Sequence, residues 1–255
     1  MMLNDISFTL GLLMGDGSFQ INHWKRKYLQ YRIMIKLKNT PANLKMLQDQ
    51  RSFYKLGMIV ARKEFVIWAI NDKKQVKQFL ELIVENPILS YKYLTKLKIL
   101  KMLYGINNNI SYSEYSFLEG SECWSWPFGK PSFPTNPVVD FDGNYKWWLS
   151  GFVEAEGCFC IRKNGNQSFS ISQKNGDLLL SSIKVFLELP NKIFQKKCGT
   201  SVLETYNSRC CFRVIEFFED YPLKGEKYIS FIRFKNYLQL KSTKTNKAGS
   251  GKGNN

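Results

Sequence analysis

The chain has 255 residues, 44% of them hydrophobic, and a formal net charge of +16 at pH 7. This length supports one large or two modest domains with hydrophobic cores, and no apolar run is long enough to span a membrane. The charge favours a polyanionic partner, nucleic acid before a membrane surface. With His23 as the single histidine, the usual histidine-rich zinc sites are excluded. Because six cysteines occur without a C-x-x-C pair or a signal peptide, we expect reduced thiols in an intracellular protein.

The charge is divided unevenly along the chain. Residues 1–105 carry a net +11, residues 106–143 a net −4, and residues 144–255 a net +9. The acidic segment is also rich in Asn, Ser, Pro and Gly, which is typical of a linker. We therefore predict an N-terminal half at 1–105, an acidic linker at 106–143, a C-terminal half at 144–241 and a disordered tail at 242–255.

The first half is predicted as an apolar helix followed by two hairpins and further helices. In chain order, the predicted elements are a helix at Leu3–Gly15, strands at Ser18–Trp24 and Leu29–Lys38, a helix from Pro41 with Thr40 as its N-cap, strands at Gly57–Arg62 and Glu64–Ile70, and a helix capped by Asn71 or Asp72.

The second half repeats this order. Its predicted elements are a helix at 146–157, strands at Cys158–Lys163 and Ser168–Gln173, a helix at 177–189, and strands at Lys192–Lys196, Ser201–Tyr206 and Arg209–Ile215. The chain is therefore predicted to consist of two similar units of roughly a hundred residues.

Each half ends its first helix with an acid, Asp16 in the first and Glu156 in the second. Small residues lie four apart on both helices, at Gly11 and Gly15 and at Gly151 and Ala155, so that the two helices can pack closely and bring the acids together. Two adjacent carboxylates repel each other, and each opposes its helix dipole. A divalent cation removes both costs, and an oxygen-only ligand set favours Mg²⁺. The alternative is two unrelated acids before turn glycines.

The predicted strands alternate between apolar and polar side chains, which gives each sheet one buried and one solvated face. Amide and cationic groups on a solvated β-ribbon suit DNA bases and phosphates, whereas an ordinary solvated face is the alternative. In the first half the candidate DNA-binding residues are Ser18, Gln20, Asn22, Lys25, Gln30, Arg32, Lys36, Lys38 and Arg62. In the second half they are Arg162, Lys163, Ser168, Ser170 and Ser172, with Arg209 and Arg213 on a later strand.

Two segments resemble the signature motifs of the single-chain LAGLIDADG homing endonucleases. They are "TLGLLMGDG" at Thr9–Gly17 and "LSGFVEAEG" at Leu149–Gly157. The resemblance covers about residues 3–240 and includes P-x(4)-K segments that end at Lys92 and Lys227.

The resemblance implies an α+β fold of two pseudo-symmetric αββαββα halves, with saddle-shaped antiparallel sheets and a central two-helix interface. It implies that Asp16 and Glu156, with the carbonyls of Gly15 and Ala155, bind Mg²⁺. Mn²⁺ would substitute for Mg²⁺, and Ca²⁺ would bind without supporting cleavage. It places three further residues at the active-site periphery: Lys92, Lys227 and Gln173. Leu37 stands at the first-half position of Gln173, which departs from the family pattern and implies chemically unequal half-sites.

The implied function is metal-dependent double-strand cleavage of DNA at a long, imperfectly palindromic site by a monomer. Two alternatives stay open: an intron RNA maturase, and a DNA-binding relative that does not cut. The Asn-, Lys-, Ile- and Tyr-rich composition, together with the family, leads us to expect a mitochondrial protein of fungal type.

Overall fold

The computed structural model describes residues 2–84, 93–120 and 143–250, and the side chains of residues 4–84, 95–118 and 143–243. The elements before the linker are α1 (Met2–Asp16), β1 (Gly17–Trp24), β2 (Tyr28–Lys38), α2 (Pro41–Tyr54), β3 (Met58–Ala61), β4 (Phe65–Ile70), α3 (Lys73–Val84), α4 (Tyr93–Asn107) and α5 (Tyr112–Gly120). The later elements are α6 (Gly143–Glu156), β5 (Gly157–Ile161), β6 (Gln167–Lys174), α7 (Asp177–Phe186), β7 (Phe194–Gln195), β8 (Thr200–Thr205), α8 (Ser208–Asp220) and α9 (Glu226–Ser250).

Two four-stranded antiparallel sheets have the same strand order. The first is β1-β2-β4-β3 and the second is β5-β6-β8-β7. The hairpin registers also match, because Gly17 pairs with Ile35 and Gly157 pairs with Ile171. The predicted α+β fold of two pseudo-symmetric halves is therefore confirmed.

The central interface is formed by α1 and α6, whose backbones approach closely at their glycines. A Cβ added to Gly11 would overlap the carbonyl oxygen of Trp148, and one added to Gly151 would overlap that of Phe8. The predicted close packing of the small residues is thus confirmed.

Each sheet turns one face to helices and the other to solvent. On β2, Tyr31, Ile33 and Ile35 are buried, whereas the residues between them are exposed or half-buried. In the second half, the ring of Phe159 lies 5.7 Å from that of Phe218 on α8 and 5.5 Å from that of Phe231 on α9. The helices therefore cover the apolar face of each sheet.

The prediction of a strand at 209–215 is wrong, because this segment lies within helix α8. Asn207 caps the helix, its side chain accepting hydrogen bonds from the N–H groups of Arg209 and Cys210. The buried residues of α8 follow helical rather than strand spacing; they are Cys210, Cys211, Val214, Ile215 and Phe218. The β-branched and aromatic residues of this segment have high strand propensity, but tertiary packing of an amphipathic helix outweighs it.

Helical structure also extends into segments that the sequence analysis assigns to the linker and the tail. α5 begins after Ser111, whose hydroxyl accepts a bond from the Glu114 N–H, while the Glu114 carboxylate accepts one from the Ser111 N–H. This S-x-x-E capping box stabilises a helix start within the linker. α9 continues to Ser250, past the predicted start of the tail at 242.

No helix among the described residues is long and apolar enough to cross a membrane.

Candidate active site

The two motif acids occupy equivalent positions at the ends of the central helices. Asp16 is the last residue of α1, and Glu156 is the last residue of α6. Just before them, a Cβ on Gly15 would overlap the Ala155 methyl group and lie 3.1 Å from Cγ of Glu156. The close approach of the helices therefore brings the Glu156 side chain beside the end of α1.

The atoms at these helix ends that could bind a metal are the carboxylate oxygens of Asp16 and Glu156 and nearby main-chain carbonyl oxygens. No group of three or more His, Cys, Asp and Glu side chains gathers within the described part of the chain. A hard divalent cation would take two carboxylates together with main-chain carbonyls and water, which is the ligand type that Mg²⁺ prefers. The residues present therefore fit such a cation.

Lys227 lies beside this pair of acids. Its Nζ donates a hydrogen bond to the carbonyl oxygen of Gly157, the residue after Glu156, at 2.6 Å. It also lines a cavity of about 350 Å³ whose wall includes Asp16 and Leu37. The lysine of the second half therefore shares a cavity with the acid of the first half. Lys92, its predicted counterpart, lies outside the described residues.

Glu154 is a residue of this region that the sequence analysis missed. It is only 5% exposed. Its carboxylate accepts hydrogen bonds from the main-chain N–H groups of Lys224, Gly225 and Lys227 at 3.1, 2.9 and 2.9 Å. Burial raises the pKa of Glu154, and these N–H groups partly offset that rise. The signal in the sequence is a second acid within "VEAEG", at a position where the first half has Met14.

The strand registers align Gln173 with Leu37, as the sequence analysis expects. Each lies two residues beyond the isoleucine that pairs with the glycine after its motif. Oε1 of Gln173 is buried and has no hydrogen-bond partner among the described residues. A buried amide oxygen without a partner is uncommon in folded proteins and marks this strand end as unusual.

Most candidate DNA-binding residues of the first half lie together on the polar face of the first sheet. Along β1, Asn22 donates to Gln20, and Gln20 donates to Ser18. Four predicted residues of β2 are exposed; they are Gln30, Arg32, Lys36 and Lys38. Lys25 and Arg62 are exposed in the turns that close the two hairpins.

The basic side chains on this face are already held by neighbours. Arg32 donates to the Asn71 side chain at 2.8 Å, and the Lys36 ammonium lies 4.1 Å from the centre of the Phe65 ring. The Lys38 ammonium lies 3.6 Å from a carboxylate oxygen of Glu226 at the start of α9. Each of these three cations therefore has a neighbouring side chain on or beside this face.

The polar face of the second sheet is more closed than expected. Arg162 on the β5 side reaches Glu204 at 3.5 Å and the Tyr206 hydroxyl at 3.1 Å, both on the β8 side. Because β6 lies between β5 and β8, this contact crosses β6 near Ser168. Ser168 is 2% exposed, so the expectation that it faces a ligand is not met. Ser170 and Ser172 are half-buried, and Lys163 is exposed.

Arg209 and Arg213 do not lie on this face, which corrects their assignment to a later strand. α8 packs on the apolar side of the second sheet, where the Phe218 ring lies 6.3 Å from that of Phe169. Arg213 donates to the carbonyl oxygen of Glu188 at 2.7 Å, and its guanidinium lies 3.1 Å from the Glu188 carboxylate. Arg213 therefore contacts the residue two positions after the end of α7 and does not lie on the polar face of the sheet.

The repeat, the two sheets and the paired acids define a two-motif α+β protein, and its family follows from sequence comparison. The profile of the LAGLIDADG endonuclease family matches residues 9–103 and 149–238. The chain belongs to this family. A relative from Dictyostelium citrinum, named "Probable intron-encoded endonuclease aI3", is 35% identical over 91% of this chain and 94% of its own length.

Some relatives are longer, and solved structures share the fold. The chain spans only 37% of an intron-encoded relative from Debaryomyces hansenii, which is 29% identical. The meganuclease I-AabMI bound to uncleaved DNA superposes with a TM-score of 0.73, covering 94% of this chain and 92% of its own, at 22% identity. I-SmaMI, bound to an uncleaved DNA target in the presence of calcium ions, gives 0.65 at 17% identity over 94% and 92% of the two chains.

Proposed function

We propose that this protein is a site-specific DNA endonuclease that hydrolyses both strands of a long, imperfectly palindromic duplex in the presence of Mg²⁺. The observation that carries the proposal is the pair of acids, Asp16 and Glu156, at the close contact of α1 and α6 in a chain of the LAGLIDADG endonuclease family. The DNA complexes of I-AabMI and I-SmaMI, which share the fold, support a duplex partner.

The carboxylates of Asp16 and Glu156 would hold the cation, with the carbonyls of Gly15 and Ala155 completing the ligand set. A cation held by these residues would supply Lewis-acid polarisation of the scissile phosphate and a lower pKa for its bound water. Mn²⁺ would substitute for Mg²⁺, whereas Ca²⁺ would support binding without cleavage.

The neighbouring side chains have separate roles in this proposal. The Lys227 ammonium stabilises the negative charge that develops on the phosphate, and Lys92 does the same in the other half. Gln173 would orient the attacking water in the second half. Because Leu37 cannot do this in the first half, the two strands are cut at different rates.

The two polar sheet faces would bind the two halves of the target. Exposed cationic and amide groups on β1 and β2 contact phosphates and base edges, while Arg162, Lys163, Ser170 and Ser172 serve the second half. Since both halves are in one chain, a monomer suffices. We also propose a mitochondrial location, which the intron-encoded relatives and the composition support.

A library of randomised duplexes tests this function directly. The protein is incubated with the library in Mg²⁺, in Ca²⁺ and in EDTA, and the ends of cut molecules are sequenced. We expect cut ends in Mg²⁺ alone, converging on one site of two unlike halves. An Asp49→Asn variant, which changes an exposed acid on α2, should cut as the wild type does. Uncut duplex under all three conditions, with tight binding in Ca²⁺, would contradict the nuclease function. Intron RNA would then be the next partner to test.

A further inference from the structure

The N-terminal turn of α9 is held by side chains that come from other helices. In addition to the three bonds to Glu154, the N–H of Glu226 donates to Oδ1 of Asn43 on α2 at 2.9 Å. The main-chain N–H groups of residues 224, 225, 226 and 227 are thus all engaged by two side chains. A helix start normally leaves such groups to a local cap or to water.

The fit around this turn is tight. A Cβ on Gly225 would lie 2.6 Å from Oε1 of Glu154 and 2.7 Å from Oδ1 of Asn43, so that glycine is required there. Asn43 is itself fixed, because its Nδ2 donates to the carbonyl oxygen of Lys38 at 3.0 Å. The first half therefore helps to anchor a helix of the second half.

This anchoring determines where Lys227 lies. Its N–H donates to Oε1 of Glu154, while its Nζ reaches the carbonyl of Gly157. The carboxylate of Glu154 also complements the positive end of the α9 dipole. Both ends of the lysine are thus tied to the last turn of α6 and the residue after it.

At the equivalent position of its motif, the first half has a methionine instead of an acid. Met14 replaces Glu154, and the Met14 sulfur accepts a hydrogen bond from Nε1 of Trp148 at 3.3 Å. A thioether is a weak acceptor and cannot hold three N–H groups as a carboxylate does.

We propose that Glu154, with Asn43, is a positioning residue that fixes Lys227 for one of the two strand cleavages. The inference rests on the proposed nuclease function for its kinetic consequence. Its structural core, that the carboxylate holds the start of α9 and the lysine on it, is independent of that function.

Two variants separate the carboxylate from the bulk of the side chain. Glu154→Gln replaces one acceptor oxygen with a donor, which then faces either the Lys227 N–H or those of Lys224 and Gly225. Glu154→Met copies the first half and removes both acceptor oxygens, and with them all three hydrogen bonds. Asp5→Asn is the matched control, because it also removes a carboxylate near this turn, one that pairs with the side-chain ammonium of Lys224 at 2.8 Å.

The first measurement uses hydrogen exchange by mass spectrometry and acylation of Lys227 in the full chain without DNA. We expect faster exchange over residues 224–230 and several-fold faster acylation in both Glu154 variants, with α1 exchange and the control unchanged. Unchanged exchange and acylation would overturn the proposal. This readout does not require cleavage, so it stands even if the protein proves not to be a nuclease.

The second measurement is strand-resolved cleavage of a duplex labelled on either strand. We expect one strand to be cut about 10- to 100-fold more slowly by the Glu154 variants, through a lower kcat at unchanged DNA affinity, with the other strand little affected. Equal slowing of both strands would overturn the assignment to one centre. Absence of cleavage by the wild type would contradict the nuclease function and leave the exchange result decisive for Glu154.

Discussion

At the residue scale, each central helix ends in an acid whose negative charge is electrostatically unfavourable in the free protein. Asp16 and Glu156 each lie at the negative end of a helix dipole, and the glycine–alanine contact draws the two helix ends together. Folding tolerates this because the helices bury large side chains such as Phe8, Trp148 and Phe152 along the same interface. Under the proposed function, a bound cation would offset this repulsion.

The cysteine thiols allow a prediction that depends on pKa. Hydrogen bonding to Thr200 lowers the pKa of Cys198, whereas burial raises the pKa of Cys211 to about 11. The thiolate is the form that reacts. At pH 8, iodoacetamide should therefore label Cys198 many-fold faster than Cys211, as followed by peptide mass spectrometry.

A matched variant separates acidity from exposure. Thr200→Val removes the hydroxyl that bonds the Cys198 sulfur at 3.2 Å and leaves that thiol exposed. We expect slower labelling of Cys198 in this variant below pH 9, with the difference vanishing at higher pH. A rate unchanged by the substitution would show that the hydrogen bond does not control the thiol.

Not every residue-scale feature could be predicted from the sequence. Glu154 is bonded by a segment 70 to 73 residues later in the chain, so its burial and role depend on tertiary contacts. The burial of Ser168 depends on the reach of Arg162 to Tyr206, some 44 residues away. Alternation along a strand predicts which face of the sheet a residue lies on, but not which distant side chains cover that residue.

At the element scale, the α1–α6 contact should depend on its glycines. Gly151→Ala places a methyl group against the main-chain carbonyl of Phe8, which cannot move without shifting the helix. We expect a loss of about 3 kcal/mol in the free energy of unfolding, measured by urea denaturation.

Gly143→Ala is the control on the same helix. A Cβ at Gly143 meets nothing within 4 Å, so the unfolding free energy should change by no more than about 0.5 kcal/mol. Equal effects at the two positions would contradict the close helix contact.

The sequence predicts most elements because their local signals agree with the fold. The Thr40 cap, the proline that follows it and the alternation on β2 all point to the elements observed. The sequence predicts a strand where α8 lies because Val, Ile and Phe favour strands locally, whereas the Asn207 cap and the burial of one helix face decide the structure. α5 was missed although its S-x-x-E capping box is visible in the sequence.

At the scale of the whole molecule, the two halves share a fold but differ in their polar faces. The first sheet presents exposed amides and cations, whereas the second has two cysteines on β5 and the Arg162 guanidinium, which contacts Glu204 and Tyr206, over β6. The repeat and its motifs make the fold and the acids predictable. The differences between the halves arise from side chains that meet only in three dimensions.

Binding to duplex DNA should depend strongly on salt. If the sheet faces contact phosphates through several cations, affinity in Ca²⁺ should fall about 10³-fold between 50 and 200 mM salt. Lys36→Gln should reduce the slope of log Kd against log salt by about one, measured by fluorescence anisotropy. Lys45→Gln on α2, whose partner is Asp49, should leave the slope unchanged. Equal slopes for the two variants would contradict the assignment of the first sheet face to DNA.

The most direct test of the central claim compares binding and cleavage for the two motif acids. Wild type, Asp16→Asn, Glu156→Gln and the double variant are assayed on the selected duplex, with binding measured in Ca²⁺ and cleavage in Mg²⁺. We predict that the double variant binds about as well as the wild type and cuts neither strand. Cleavage that survives in the double variant would contradict the assignment of the active site to the ends of α1 and α6.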